Sequence, residues 1–310
     1  MGRFENAVEA RETLAEDFFG GWQPSDADLL NRYYVPAEPA EGKITDFFGI
    51  KTSSSFHAWA AHLHNQIVNV IPIPDDSLRA ETIEYYATLN SFEMAPEGTF
   101  SMAEIGASYG PWTCFAATLA KRHNRTARLV AVEASSFLYE LIPVHLLENG
   151  IDLKEGNITL IKGAVASEHG RLHFPIVTSA AENGGQISDL SGESDYLGRK
   201  VEYEAVQAFP LAEVLPTGMV DLVHIDVQGV EFDVLSSAIH SLNARVRAIF
   251  IGTHSRLIEG QLIELFHKNG WELDRERPTK FSYTHDRPDV VGWTTRDGGQ
   301  YWINRNLVPA

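Results

Sequence analysis

Apolar positions change their rhythm near residue 100. Before that point they recur at helical spacing. Glu9–Phe19 and Phe56–Val70 each gather them on one face, and Leu78–Met94 does the same behind Ser77, a capping residue, with Glu81 near the first turn. The Pro-rich stretch Val35–Pro39, and Pro72 with Pro74, break the chain between these segments. Beyond residue 100 short apolar runs alternate with amphipathic segments, the pattern of a parallel sheet with helices on its faces. The expected strands are Phe100–Ile105, Arg128–Glu133, Ile158–Gly163, Asp221–Asp226 and Arg247–Gly252. The expected helices are Trp112–His123, Ser136–Asn149, Glu231–Leu242 and Ile258–Lys268, with Gly150 and Gly270 stopping the second and the fourth. Residues 178–200 are polar and Gly-rich and predict a long loop, either functional or mobile. Val290–Thr294 and Gln300–Asn304 predict a strand pair about Asp297-Gly298-Gly299. The resulting division is a helical N-terminal extension or cap over residues 1–95, and a doubly wound, mostly parallel α/β domain over residues 96–310.

Composition narrows the class. The chain has 310 residues, 44% hydrophobic and 22% charged, which suits one large α/β domain with an extension. No apolar run reaches the roughly 18 residues of a membrane span. The acidic stretch Met1–Gly21 lacks the apolar core of a secretory signal, so the expectation is a cytoplasmic protein with no membrane partner. A formal net charge of −17 opposes association with phosphate backbones, and no nucleic-acid partner is expected. Cys114 stands alone, so no intramolecular disulfide and no Cys-rich metal site is available. Nothing in the pattern speaks to the oligomeric state.

Four places carry chemistry. The first is the glycine turn Glu104-Ile-Gly-Ala-Ser-Tyr-Gly110, set between an apolar run and a helical one. Glycines there let the backbone approach a ligand, and the helix start offers free N–H groups. Glu104, Gly106, Ser108 and Gly110 are therefore candidate contacts. Their Gly-x-x-x-Gly spacing lacks the tight pyrophosphate turn of a dinucleotide site. The second place is Glu133, at the end of the next expected strand, where a carboxylate can accept both hydroxyls of a ribose. Turn and strand-end acid together point to an adenosine-type ligand. The third is His224-Ile-Asp-Val-Gln-Gly-Val-Glu231, whose strand delivers Asp226 to the same carboxyl edge of the sheet. Glu231 reads equally as a site acid and as a helix-terminus residue suited to the positive end of the dipole. The fourth is His254, just past another apolar run. A neutral imidazole there can take a proton from a substrate hydroxyl, with Asp226 as its partner or as acceptor of the same hydroxyl. A structural, hydrogen-bonded histidine is the alternative.

These residues together resemble the FkbM family of methyltransferases over roughly residues 80–305. The resemblance rests on the Glu104–Gly110 turn, on Ala131-Val-Glu-Ala-Ser followed by Leu147-Glu-Asn-Gly150, and on Ile161-Lys-Gly-Ala-Val-Ala. It extends through Val220–Leu235, the strand ending at His254, and Asp297–Asn304. It implies a Rossmann-like class I fold, S-adenosylmethionine as cofactor with adenine near Ala164, and O-methylation of a small acceptor, often a sugar or a secondary metabolite. Gln228 stands where the family usually has Glu, which weakens a metal-binding reading of this block. Metal-free base catalysis by His254 and Asp226 is the expectation, and Mg²⁺ on Asp226, Glu231 and His254 is its alternative. The rival from another class is a serine hydrolase. Gly106-x-Ser108-x-Gly110 has the form of a nucleophile elbow, and Ser108, Asp226 and His254 follow in hydrolase order. Against it, the segment before the elbow reads as helices, and a hydrolase needs no acid at Glu133.

Overall fold

A computed structural model of the chain describes residues 20–69, 82–153, 157–180, 184–188, 194–287 and 289–308. Seven strands form its main sheet, in the order β11 (Trp271–Arg277), β14 (Gly298–Asn304), β10 (Ala248–Thr253), β9 (Leu222–Ile225), β3 (Thr99–Ile105), β4 (Thr126–Glu133) and β5 (Asn157–Lys162). Neighbours from β10 to β5 are parallel, and β14 runs against both β10 and β11. The strands at the centre are apolar on both faces because both are covered. On one face Phe100, Met102, Leu129, Leu222 and Phe250 pack under helices α2 (Thr82–Met94) and α3 (Pro111–Arg122). On the other, Ala103, Val130, Val223 and Ile249 pack under α6 (Glu231–Arg245) and α7 (Arg256–Lys268). All five expected strands and all four expected helices form, the remaining one of these being α4 (Ser136–Glu148); a short α5 (Leu211–Val214) precedes β9. No described helix is long and apolar enough to cross a membrane.

The region before residue 95 departs from the helical reading. The expected helix Glu9–Phe19, and the start of the one from Leu78, lie outside the described residues. Within them α1 (Asp26–Arg32) is followed by a hairpin of β1 (Lys43–Thr45) and β2 (Lys51–Ser53). Its turn is closed by Asp46, whose Oδ1 accepts the N–H groups of Phe48 (2.9 Å) and Ile50 (2.8 Å), while Gly49 takes a φ of 71°. In place of a helix over Phe56–Val70 there is a 3₁₀ segment, Ser54–Leu63, broken at His57 and Ala60. The His57 carbonyl is taken by the His64 ring (3.0 Å), so it does not serve a helical ladder, and the His57 ring reaches Tyr109 Oη (3.2 Å). Leu30, Phe47, Phe48 and Ile50 pack into the core beneath α2 and α3, so much of this segment braces a sheet face.

The end of the chain also differs from expectation. Val290–Thr294 does not pair with Gln300–Asn304; Val291–Trp293 is a 3₁₀ turn, and β13 (Thr294–Arg296) pairs with β12 (Lys280–Phe281). β14 instead enters the sheet between β10 and β11, where all seven of its residues are buried. β11 has too polar a sequence to read as a strand, since it is an edge with one neighbour. Two further strands bracket the residue 178–200 region: β7 (Gly170–Pro175) and β8 (Tyr203–Pro210), joined with β6 (Ala164–Ala166) in a small separate sheet.

Two buried polar links tie the N-terminal segment to the sheet. Asp26 accepts two hydrogen bonds from the Arg275 guanidinium (2.8 and 3.2 Å), which lies 4.3 Å over the Tyr86 ring. Glu84 meets His224 Nε2 at 2.9 Å, and the His224 ring is stacked between Trp112 and Phe250. Removing Arg275 strands the buried Asp26, whereas without Asp26 the guanidinium keeps Asp274 (2.9 Å). Arg275→Ala should therefore cost about 3–5 kcal/mol in urea unfolding, and Asp26→Ala less. A loss below ~1 kcal/mol in both variants would show that the pair does not anchor α1.

Candidate active site

The site grows from the switch point of the sheet, where the chain leaves β3 for β4 on one side and later returns to β9 on the other. Gly106 follows β3 with a φ of 77°. A Cβ there would lie 1.9 Å from the Asp226 carbonyl oxygen, so only glycine allows the ends of β3 and β9 to lie side by side. The N–H groups of Gly106 and Ala107 both bond the Val132 carbonyl (3.0 and 2.9 Å), and Asp226 N–H bonds that of Ile105 (2.9 Å). Three strand ends are thereby laced around one cleft of about 470 Å³.

Four of the residues singled out from the sequence line this cleft: Gly106, Glu133, Ala164 and Asp226. Glu133 is buried, and its two oxygens accept N–H groups from Ser108 (2.6 Å) and Ser135 (2.7 Å). Burial pushes its carboxyl up to about 7 against the pull of those bonds. Glu104 does not face the cleft contacts expected of it. Its carboxylate is turned under α3, where it accepts the Trp112 N–H (3.0 Å), the Thr113 N–H (2.7 Å) and the Thr113 hydroxyl. An acid at the positive end of a helix dipole explains that preference. Ser108 contributes its backbone, and its buried hydroxyl has no hydrogen-bond partner among the described residues. Gly110 begins α3 with a φ of 75°, packed against Ile142. Phe174 and Gln228 also line the cleft, and no signal in the sequence marked Phe174.

Beside the cleft lies a buried charge cluster. His254 Nδ1 is 2.7 Å from Glu231 Oε1, and its Nε2 is 3.2 Å from Asp226 Oδ1. Glu231 is fully buried, whereas the Asp226 side chain is 42% exposed. Gly252 makes room for Asp226, since a Cβ there would stand 3.0 Å from the carboxylate carbon. Burial disfavours a charged His254, but the facing carboxylates of Glu231 and Asp226 outweigh it and hold the imidazolium well above its ordinary range. The imidazolium in turn outweighs burial at Asp226 and holds that carboxyl low. The facing carboxylates thus favour the charged ring, where a neutral base was expected. Both nitrogens face carboxylates, so neither is left for the Ser108 hydroxyl, and the hydrolase arrangement is not formed. One atom from each of Asp226, Glu231 and His254 lies within 4.8 Å of the others, a spacing that an ion also suits.

A second, wider cleft of about 1,120 Å³ shares Gly185 with the first and is lined by Ile176, Val177 and Tyr196. The Tyr196 hydroxyl is 3.1 Å from the Gly184 carbonyl and 3.4 Å from Gln228 Oε1, so it stands between the two spaces.

Residues 104–276, more than half of the chain, match the model of the methyltransferase FkbM domain. A protein of Jannaschia sp. (strain CCS1) that carries a provisional methyltransferase name is 25% identical over 258 residues, which is 82% of this chain and 91% of that protein. Among solved structures, the methyltransferase FkbM of Methylobacillus flagellatus KT aligns at 13% identity with a TM-score of 0.39. The alignment covers 69% of this chain and spans about half (53%) of that one. Precorrin-6y C5,15-methyltransferase of Geobacter metallireducens GS-15 aligns at 11% identity with a TM-score of 0.38, covering 73% of this chain and 89% of the other.

The raised carboxyl of Glu133 has a cost in stability. Unfolded, it titrates near its ordinary 4.5; folded, near 7. Stability is greatest below the first value and is lost as pH rises through the second, by about 3 kcal/mol in total. Glu133→Gln should remove this slope, so that in urea unfolding the variant gains on the wild type between pH 4.5 and 7. Parallel curves for the two proteins would refute the buried carboxylate's shift.

Proposed function

The chain belongs to the FkbM family of methyltransferases, and we propose that it transfers a methyl group from S-adenosylmethionine to a hydroxyl of a small organic acceptor. The observation that carries this reading is the single cleft bounded by Gly106, Glu133 and Asp226 at three adjacent strand ends. The Gly106 turn lines the cleft and borders the methionine end of the donor. Glu133 accepts the ribose hydroxyls, and Ala164 lies against the adenine. Ser108 and Gly110 act on the donor by shaping the turn, and Glu104 by fixing the start of α3 beneath it. The cofactor supplies a methyl group on a positively charged sulfur.

The protein's share is to align the acceptor oxygen and to take its proton. The acceptor enters from the second cleft, past Tyr196. Asp226 would accept a hydrogen bond from the acceptor hydroxyl, and the deprotonated form of His254 would receive that hydroxyl's proton at Nε2. The resulting imidazolium is held between Asp226 and Glu231, and its proton then passes to water. Residues 96–310 are the catalytic unit in this reading, and the preceding segment braces it. The net charge of −17 supports a neutral or cationic small acceptor over a nucleic acid.

Calorimetry with the demethylated donor product tests the donor site. Glu133→Ala should weaken that affinity by about 1.5–3 kcal/mol, the scale of charge-assisted hydrogen bonds. Unchanged affinity in a folded variant removes Glu133 from the site. Methyl transfer to a panel of hydroxylated small molecules tests the reaction. His254→Ala should lose about 10²–10⁴ in turnover while keeping donor-product affinity. A fully active His254→Ala would leave positioning alone to carry the step.

A further inference from the structure

Resting on the reading above, we infer that Glu231 is a positioning residue. It retains the proton on His254 Nδ1, so that Nε2, on the side of Asp226 and the donor cleft, is the nitrogen that gives and takes the proton. Glu231 opens α6, and closing that helix end would explain an acid there. The geometry goes further. Its Oε1 accepts the Gly229 N–H at 2.9 Å and at the same time meets His254 Nδ1 at 2.7 Å. A fully buried carboxylate at that distance requires a donor opposite it. In a neutral imidazole one nitrogen carries the proton and the other a lone pair. With Nδ1 committed to Glu231, the lone pair falls on Nε2. The ring has little freedom to turn. The residue is buried, and its carbonyl accepts the Thr294 hydroxyl.

The groups that face His254 come from three elements: Asp226 beyond β9, Glu231 on α6, and the Tyr196 phenol in the 194–200 segment, which also feels the imidazolium's charge. Glu231 and Asp226 have unequal parts. Glu231 is wholly buried and hydrogen-bonded to the ring, whereas Asp226 is partly exposed, lines the donor cleft, and keeps an Oδ1 with no well-aligned hydrogen bond among the described residues. Asp226 is therefore placed to exchange the ring for the acceptor hydroxyl, while Glu231 stays with the ring throughout.

The test is ¹⁵N-histidine NMR on the full-length protein, with His254 assigned by the signal lost in His254→Asn. In the wild type the His254 midpoint should lie above the ordinary value of about 6.5. On deprotonation Nε2 should take the lone-pair shift while Nδ1 remains protonated. Glu231→Gln keeps the size of the side chain and removes its charge. The midpoint should fall by about one unit or more, and the rising limb of the methyl-transfer rate should move to lower pH by the same amount. Asp226→Asn should lower the midpoint too but leave the proton on Nδ1. If Glu231→Gln does not fold, Glu231→Asp withdraws the carboxylate from Nδ1 and should also lower the midpoint. A wild-type lone pair on Nδ1, or an unchanged midpoint in Glu231→Gln and Glu231→Asp, would overturn the inference, as would a wild-type midpoint that collapses on addition of Mg²⁺. The NMR arm needs neither donor nor acceptor. A chain that shows the expected titration yet methylates nothing would reject the proposed function and leave the role of Glu231 standing.

Discussion

The contact between Gly106 and the Asp226 carbonyl sets the geometry of everything around it. Two parallel strands that diverge at a switch point leave a crevice only if their ends stay close, and here the space between them is smaller than one methyl group. Because β3 and β9 end level, Glu133, one strand further out, and Asp226 arrive on opposite sides of the same opening. Because Gly252 on β10 also lacks a side chain, the Asp226 carboxylate can swing toward His254. The positions without side chains decide where the charged ones can go.

Two histidines near the carboxyl edge show how surroundings divide one side chain into two roles. His224 sits between aromatic rings, and burial pushes it down to about 4, so it is neutral at physiological pH. It serves as a polar dowel between β9 and α2. His254 is equally buried, but it has a carboxylate on each side and is held as a cation. Burial opposes charge in both, and the number of facing acids determines the outcome. Among the described residues the fully buried Glu231 has no compensating cation other than that ring, which couples the two groups tightly.

Much of this was legible in the sequence where a residue's place follows from the end of an apolar run. Glu133, Asp226 and His254 all terminate such runs, and a strand end in a parallel sheet faces the ligand edge. What could not be read is the direction of a side chain once the strand has stopped. Glu104 lies one residue inside β3 and turns toward α3, because helix N–H groups there offer stronger partners than an open cleft. The coupling of Glu231 to His254 joins residues on α6 and beyond β10, and no local pattern announces it. β11 hid for a different reason. An edge strand half open to water is free to be polar, so Trp271–Arg277 carries too little periodic signal. At Phe56–Leu63 the spacing was helical, but the His57 carbonyl was claimed by the His64 ring, a partner the spacing does not contain.

The position of β14 has a consequence for the order in which the molecule can be built. It is the last strand of the sheet in sequence, yet it lies between β10 and β11 with Tyr301, Trp302 and Ile303 buried. The Tyr301 hydroxyl meets Ser91 Oγ (2.9 Å) and the Asn90 amide (3.1 Å), so α2, made some two hundred residues earlier, rests on it. While the chain is being synthesised, β10 and α2 must wait with apolar surface uncovered until Gly298–Asn304 has cleared the ribosome. Parallel strands β3, β4, β5 and β9 all precede it in the chain, but the half of the sheet that carries His254 closes only once Gly298–Asn304 is in place. The His254 side of the cleft thus depends on the latest strand of the sheet in sequence, and the Glu133 side on earlier ones.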